Sequence, residues 1–319
     1  MATVTTLLSA FARDVQSGLT AKQKHLSSKY FYDDAGSRIF MEIMKMPEYY
    51  PTGCEFEILS QQPLHILKQL QFIGPFNIVE FGSGDGMKTR HLLKAFVQAG
   101  ATFTYIPIDI SQEAIDALEV NINAFVPAIN MQPRTGDYFD VLEELSDSDV
   151  PNLFLFLGGN IGNYKHEDAL ALLKKFNAGM KRGDKLLMGL DLQKNPRVIQ
   201  LAYDDLQGIT KAFNMNLLSR INTELEADIH LDQFDFYSNY NPQNGEVNSY
   251  LVSLKKQHFH STVLNQTFFF DKDELVWTEL SKKYSFTEID VLAKASGFSV
   301  NHNFMDCKHY FTDSLWEKV

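Results

Sequence analysis

The sequence predicts a doubly wound α/β sheet carrying a second, smaller α+β block. Three observations predict it. Near-continuous apolar runs alternate with helical periodicity between about residues 76 and 192, as a parallel sheet covered on both faces requires. After about Asn195 the pattern becomes that of antiparallel strands. The 319 residues, 45% hydrophobic and 22% charged, suit an ordinary globular chain of one large domain or two.

The elements follow in order. FNIVEFG (76–82) lies between Pro75 and a Gly-rich turn, and FTYIPIDI (103–110) is the next strand. MQPRTGDY (131–138) is weaker, whereas NLFLFLGG (152–159) and DKLLMGLDL (184–192) are strong. Helices are expected from Thr89 to about Gln98, Gln112 to Ala124 and Glu167 to Met180. Such βα repeats cross over right-handed, with ligands at the carboxyl ends of the strands. Residues 197–223 read as helix, and 234–241, 246–256 and 258–270 as antiparallel strands, with Asn-Pro-Gln-Asn-Gly (241–245) as a turn. Residues 286–297 return to helix, and the last two apolar runs form a hairpin that completes the sheet.

Charge and composition narrow the function. A net charge of −11 argues against a general nucleic-acid binder, which needs clustered Lys and Arg. Cys54 and Cys307 are far apart and read as free thiols of a reducing compartment. The N-terminal segment meets Arg13 and Asp14 before a signal-length apolar run develops, and no run approaches a membrane span. The expectation is a cytoplasmic monomer with a small-molecule substrate, without nucleic-acid or membrane partners. No metal is expected, since His258 and His260 have no carboxylate at ligand spacing.

The turn Glu80-Phe81-Gly82-Ser83-Gly84-Asp85-Gly86 carries the first chemical signal. Glycines there let a backbone take positive φ and approach a ligand. Asp109, closing the second strand, can accept hydrogen bonds from both hydroxyls of a ribose. A dinucleotide site uses the same layout with a third glycine three residues after the second. Here position 87 is Met, and Asp85 stands where a pyrophosphate would lie. The pattern suits S-adenosylmethionine (SAM) better, with a dinucleotide or a simple connecting turn as the alternatives. Gly136-Asp137-Tyr138, after the third strand, is where an adenine would be held.

Five segments in order carry a resemblance: KYFYDDAGSRIFMEIMKMPEYYPTGCEFEIL (29–59), VEFGSGDGMKTRHLL (79–93), FLGGNIGNY (156–164), AYDDLQGITKAFNMNLL (202–218) and WTELSKKY (277–284). The chain resembles the histidine-specific, SAM-dependent methyltransferases of ergothioneine biosynthesis, which trimethylate the α-amine of L-histidine to hercynine. The resemblance runs from about residue 9 to the C-terminus. It implies a Rossmann-like class I methyltransferase sheet over 61–195 and 286–319, and an α+β substrate-binding cap over 1–60 and 196–285. It places SAM on Tyr49 or Tyr50, Gly82, Gly84, Lys88, Asp109, Asp137 and Tyr138. It places histidine on Tyr32, Asn163, Tyr203, Glu279 and Ser281, and gives Tyr32 and Asn163 the catalytic role as well.

The residue types suit that chemistry. Tyr32, Tyr203 and Asn163 can donate hydrogen bonds to a carboxylate. Glu279 and Ser281, two apart, face one side if WTELS is a strand, and can serve the two nitrogens of an imidazole. Each also has a plainer reading: a packed tyrosine, a turn asparagine, or a glutamate paired with Lys282 or Lys283. Two departures stand out. Gly159-Asn160 replaces a pair of hydroxyl residues common in the family, and Ser249 or a neighbour aligns with a methionine that lines the imidazole pocket. A smaller residue there leaves room for another amino acid or an aromatic amine. A SAM-binding module without transfer activity is the non-enzyme alternative, and a dinucleotide-dependent oxidoreductase the most distant one.

Overall fold

The computed structural model describes residues 8–127, 129–136, 138–146 and 150–319. These divide into two compact units, one of Met1–Tyr49 and Lys194–Ser281, the other of Tyr50–Gln193 and Lys282–Val319. The chain opens with helices α1 (Ala10–Thr20) and α2 (Asp34–Ile43), continues through α3 (Tyr50–Gln61) and α4 (Pro63–Leu70), and then enters the βα alternation.

That alternation builds the second unit. Its parallel strands are β1 (Phe76–Phe81), β2 (Phe103–Asp109), the short β3 (Asn130–Met131) and β4 (Arg134–Thr135), β5 (Asn152–Phe156) and β6 (Lys185–Asp191). Between them run α5 (Thr89–Gln98), α6 (Gln112–Phe125), α7 (Tyr138–Ser146) and α8 (His166–Gly179). Alternate residues of β5 divide between the two faces: Leu153 and Leu155 pack with the Ile and Leu side chains of α3 to α6, and Phe154 and Phe156 with those of α7 and α8. Burial on both faces accounts for the unbroken apolar run that the sequence shows there.

The second segment of the first unit follows. Residues 197–223 are two helices, α9 (Pro196–Tyr203) and α10 (Ile209–Glu224), where the sequence suggested one helical stretch. Gly208 turns at φ +73°, and the Asp205 carboxylate accepts the N–H groups of Ile209 and Thr210 at 3.0 and 2.8 Å, starting a new helix. Strands β7 (Phe234–Asn241), β8 (Glu246–Ser253) and β11 (Leu275–Lys282) form a sheet in the order β11-β8-β7. The expected strand over 258–270 is instead a hairpin of β9 (Gln257–Ser261) and β10 (Gln266–Phe270), turning at Asn265 with φ +46°. The core of this unit joins Phe11, Val15, Phe31, Phe213, Leu217, Leu251 and Val276.

The chain re-enters the large sheet with α11 (Phe286–Ala295), β12 (Phe298–Met305) and β13 (Phe311–Lys318). The last two strands pair antiparallel, and β13 pairs antiparallel with β6, giving the order β12-β13-β6-β5-β1-β2-β3, with β4 also on β2. The crossover direction reverses between β1 and β5, so ligands are expected at their carboxyl ends. The boundary between units falls at Tyr49 rather than residue 60, because α3 packs in the sheet's apolar layer through Cys54, Ile58 and Leu59.

Candidate active site

The glycine turn leaves β1 with Gly82, Gly84 and Gly86 at φ +66°, +54° and +68°. Nothing lies within 4 Å of where a Cβ would stand on Gly82 or Gly84. The backbone is therefore bare on that side, and a ligand can approach it. Asp109 ends β2 half-buried, with Oδ1 accepting the Ser111 N–H at 3.0 Å. A bare glycine turn beside a strand-end carboxylate fits an adenosyl group with two ribose hydroxyls. Tyr138 begins α7, its ring 5.3 Å from that of Phe81. Asp137 lies outside the described residues.

Glu80 closes this turn from beneath. Its two oxygens accept the Thr89 and Tyr105 hydroxyls, each at 2.5 Å, which ties β1 to α5 and β2. Burial pushes its carboxyl up to about 7 against the pull of those two hydrogen bonds. Lys88 is engaged by the buried Glu55, so any contact it makes to a cofactor is shared with that carboxylate. Tyr50 donates to Asp191 at 2.9 Å, and Asp191 also holds the fully buried Lys283 at 2.8 Å. Burying a cation is costly without such a partner, so Asp191 anchors both α3 and the re-entering chain.

The loop after β5 runs through Gly158 and Gly159 into a single 3-10 turn, Asn160–Asn163. Asn160 donates its amide to the Leu157 carbonyl at 2.9 Å, closing the loop where the family commonly has hydroxyl residues. Asn163 ends that turn exposed.

The other expected substrate contacts belong to the first unit. Tyr203, the last residue of α9, and Ser281, near the end of β11, share a hydrogen bond at 2.9 Å in which either hydroxyl can donate. Glu279 precedes Ser281 by two on β11 and is half-buried. Tyr32 lies just before α2 with half its surface exposed, yet its hydroxyl is desolvated. That desolvation, and after it the charge of Glu279, raise its pKa, so the phenol stays protonated. An unbroken series of ring contacts joins Tyr32 to Phe40 at 5.3 Å, Phe40 to Tyr49 at 6.3 Å and Tyr49 to Tyr203 at 6.1 Å. Tyr49 and Tyr50, adjacent in sequence, thus serve different units.

Several neighbours of the candidate site residues escaped the sequence reading. Phe40 and Phe213 wall Tyr32, with Phe213 5.6 Å from it, and Asp33 both caps α2 and accepts the Asn216 amide at 2.8 Å. Phe213 and Asn216 fall in the landmark 202–218, which was the available signal. Ser249 is buried opposite Ser238, whose hydroxyl donates to the Tyr203 carbonyl at 3.1 Å. His258 packs on Phe269, and His260 bonds Thr267 at 3.1 Å. Among the described residues, ligand atoms of Glu57, Asp306 and Cys307 lie within 4.8 Å of one another. Glu57 is bonded to Cys307 and Asp306 to backbone N–H groups, which accounts for the cluster as a brace for the β12–β13 turn. No helix among the described residues is long and apolar enough to cross a membrane.

Comparison with known proteins decides the family. The family model described as histidine-specific methyltransferase, SAM-dependent, matches residues 11–318. The chain belongs to that family. Histidine N-alpha-methyltransferase of Mycolicibacterium smegmatis is 34% identical over 297 residues, covering 93% of this chain and 91% of that protein. The enzyme of the same name from Mycobacterium tuberculosis is 35% identical over 275 residues, covering 86% and 84%. The L-tryptophan methyltransferase trpM of Psilocybe serbica is 28% identical over 307 residues, covering 89% and 85%. This methyltransferase is thus a SAM-dependent enzyme with a Rossmann-like sheet.

Proposed function

We propose that this methyltransferase transfers methyl groups from SAM to the α-amine of L-histidine, three times in succession, to give hercynine. One observation carries the substrate reading: Glu279 and Ser281 share a strand, Ser281 is bonded to Tyr203, and the charge of Glu279 reaches the Tyr32 hydroxyl. A carboxylate can accept an imidazole N–H, the neighbouring hydroxyl can serve the other ring nitrogen, and two phenols can donate to the substrate carboxylate. The names of the mycobacterial relatives support the same substrate.

SAM supplies the activated methyl, and the protein aligns the nucleophile with it. The amine must be neutral to attack, so a proton leaves before each transfer. Tyr32, held protonated, is a donor and not the base that takes this proton. Its catalytic contribution, like that of Asn163, is orientation. With the ring and the carboxylate held, the α-nitrogen is the group left to react. In this reading the turn Gly82–Gly86 and Asp109 hold the adenosyl part, and Tyr32, Tyr203, Glu279 and Ser281, all in the unit of Met1–Tyr49 and Lys194–Ser281, serve the substrate.

Incubation with SAM and each of the common amino acids, read by mass spectrometry, tests the assignment. Histidine is expected to gain methyl groups in steps up to three, all on the α-nitrogen by fragmentation. Asp109→Ala is expected to weaken S-adenosylhomocysteine binding by about 1.5–3 kcal/mol, the scale of a charged hydrogen bond. A protein that ignores histidine and methylates tryptophan overturns the substrate, and unchanged affinity in Asp109→Ala overturns the cofactor placement.

A further inference from the structure

The glycine turn and the loop leading to Asn163 leave neighbouring strands, β1 and β5, and a single carboxylate from a third element is bonded to both. Glu55 of α3 is fully buried. Its Oε1 accepts the Gly158 N–H at 2.6 Å, and its Oε2 takes the ammonium of Lys88, four residues beyond Gly84. β6 makes room for this: at Gly189 a Cβ would collide with Glu55 Oε1 and come within 3.2 Å of the Gly158 nitrogen. Asp313 of β13, in register with Gly189, is fully buried beside Glu55. Desolvation, and then the charge of Glu55, push the Asp313 carboxyl well above the usual range. That shift favours the neutral form of Asp313, which leaves Glu55 and Lys88 as the ion pair of the cluster.

Glu55 is fully buried while Lys88 keeps about a quarter of its side chain exposed, and the desolvation of such a carboxylate offsets much of the attraction of its ion pair. Stability alone therefore does not account for a carboxylate at this spot. What the pair does is geometric. It joins Lys88, just past the glycine turn, to Gly158 at the start of the Asn163 loop, across the point where the strand order reverses. We propose that Glu55 is a positioning residue of the cofactor site, which sets the spacing between these two loops by holding Lys88 and Gly158 on one carboxylate. This rests on the placement of SAM at the Gly82–Gly86 turn.

Titration calorimetry with S-adenosylhomocysteine on Glu55→Gln, Lys88→Met and the double variant tests the proposal. The double variant buries no unpaired charge and is the one whose folding is least at risk. Each single change is expected to weaken binding at least about tenfold, the effect of one charged hydrogen bond, and the double variant no more than the worse single. The KM for SAM is expected to rise, while the KM for histidine stays within about twofold, a split that loss of fold alone does not produce. A Glu55→Gln protein that melts lower but binds S-adenosylhomocysteine as the unmodified chain does overturns the proposal, as do additive effects in the double variant. Asp109→Ala is measured alongside. If it leaves affinity unchanged, the SAM placement has failed; if it weakens binding and Glu55→Gln does not, only the role of Glu55 has failed.

Discussion

Glu279 and Glu80 show two ways a half-buried or buried carboxylate can be used. Glu279 sits among phenols, and its charge raises the pKa of Tyr32. In the proposed function it is the acceptor for an imidazole N–H, and it is not among the residues proposed to hold SAM. Glu279→Ala is therefore expected to lower kcat/KM for histidine by roughly 10–150-fold, equivalent to ~1.5–3 kcal/mol, with S-adenosylhomocysteine affinity unchanged by calorimetry. An equal loss in both measurements would place Glu279 in the fold rather than in the substrate site. Glu80 is a latch. A carboxyl whose folded pKa lies above its unfolded value lends stability at low pH and loses it as pH rises through the folded value. Burial puts Glu80 at about 7. Relative to Glu80→Gln, which stays neutral, the unmodified protein should lose melting temperature between about pH 5 and pH 8; a gain over that range contradicts the assignment. The pairing of Glu279 with Ser281 was legible in the sequence because period two is a property of one strand. The contacts of Glu55 were not, since its neighbours Lys88, Gly158, Gly189 and Asp313 come from four separate segments.

At the scale of elements, legibility followed burial. β1, β2, β5 and β6 are covered on both faces, so their apolar runs stand out, and observed bounds differ from expectation by at most a few residues. β3 and β4 have only two residues each, and the expected strand over 131–138 covers a stretch with too little pairing to impose a pattern. The break between α9 and α10 depends on the Asp205 carboxylate folding onto later N–H groups, which helical periodicity does not register. The glycine turn yields a prediction that separates packing from ligand approach. At Gly86 a Cβ would stand 2.5 Å from Leu118 Cδ1 and 3.0 Å from Ile122 Cδ1, both on α6. Gly86→Ala therefore makes Leu118 and Ile122 repack and adds the strain of a positive φ, and is expected to destabilise by about 1–3 kcal/mol. Gly84→Ala meets open space and bears backbone strain only, so its larger effect should be on cofactor affinity. Thermal melts and calorimetry on the two variants check this; equal stability losses would show that the contact with Leu118 and Ile122 does not limit what Gly86 can carry.

At the scale of the whole molecule, the chain leaves the second unit at Gln193 and returns to it at Lys282. The two ends run side by side. Leu192 and Tyr284 form a parallel bridge, the Tyr284 N–H donates to the Asp191 carbonyl at 2.8 Å, and the Gln193 N–H donates to the Tyr284 carbonyl at 2.9 Å. Parallel neighbours lie about 4.8 Å apart, so a linker of about six residues, extending to ~20 Å, is ample to rejoin them. Both apolar layers of the sheet are made wholly of residues from Tyr50–Gln193 and Lys282–Val319. A shortened chain of 50–193, a Gly/Ser linker and 282–319 thus retains every side chain of its own core, and keeps the glycine turn, Asp109, Glu55 and Lys88. It lacks Tyr32, Tyr203, Glu279 and Ser281. Such a chain is expected to unfold cooperatively and to bind S-adenosylhomocysteine, while giving no methylated histidine. Circular dichroism melts and calorimetry read the first two outcomes, and mass spectrometry the third. A non-cooperative melt would show that the sheet depends on residues 1–49 and 194–281 for its folding, and the two units would then count as one.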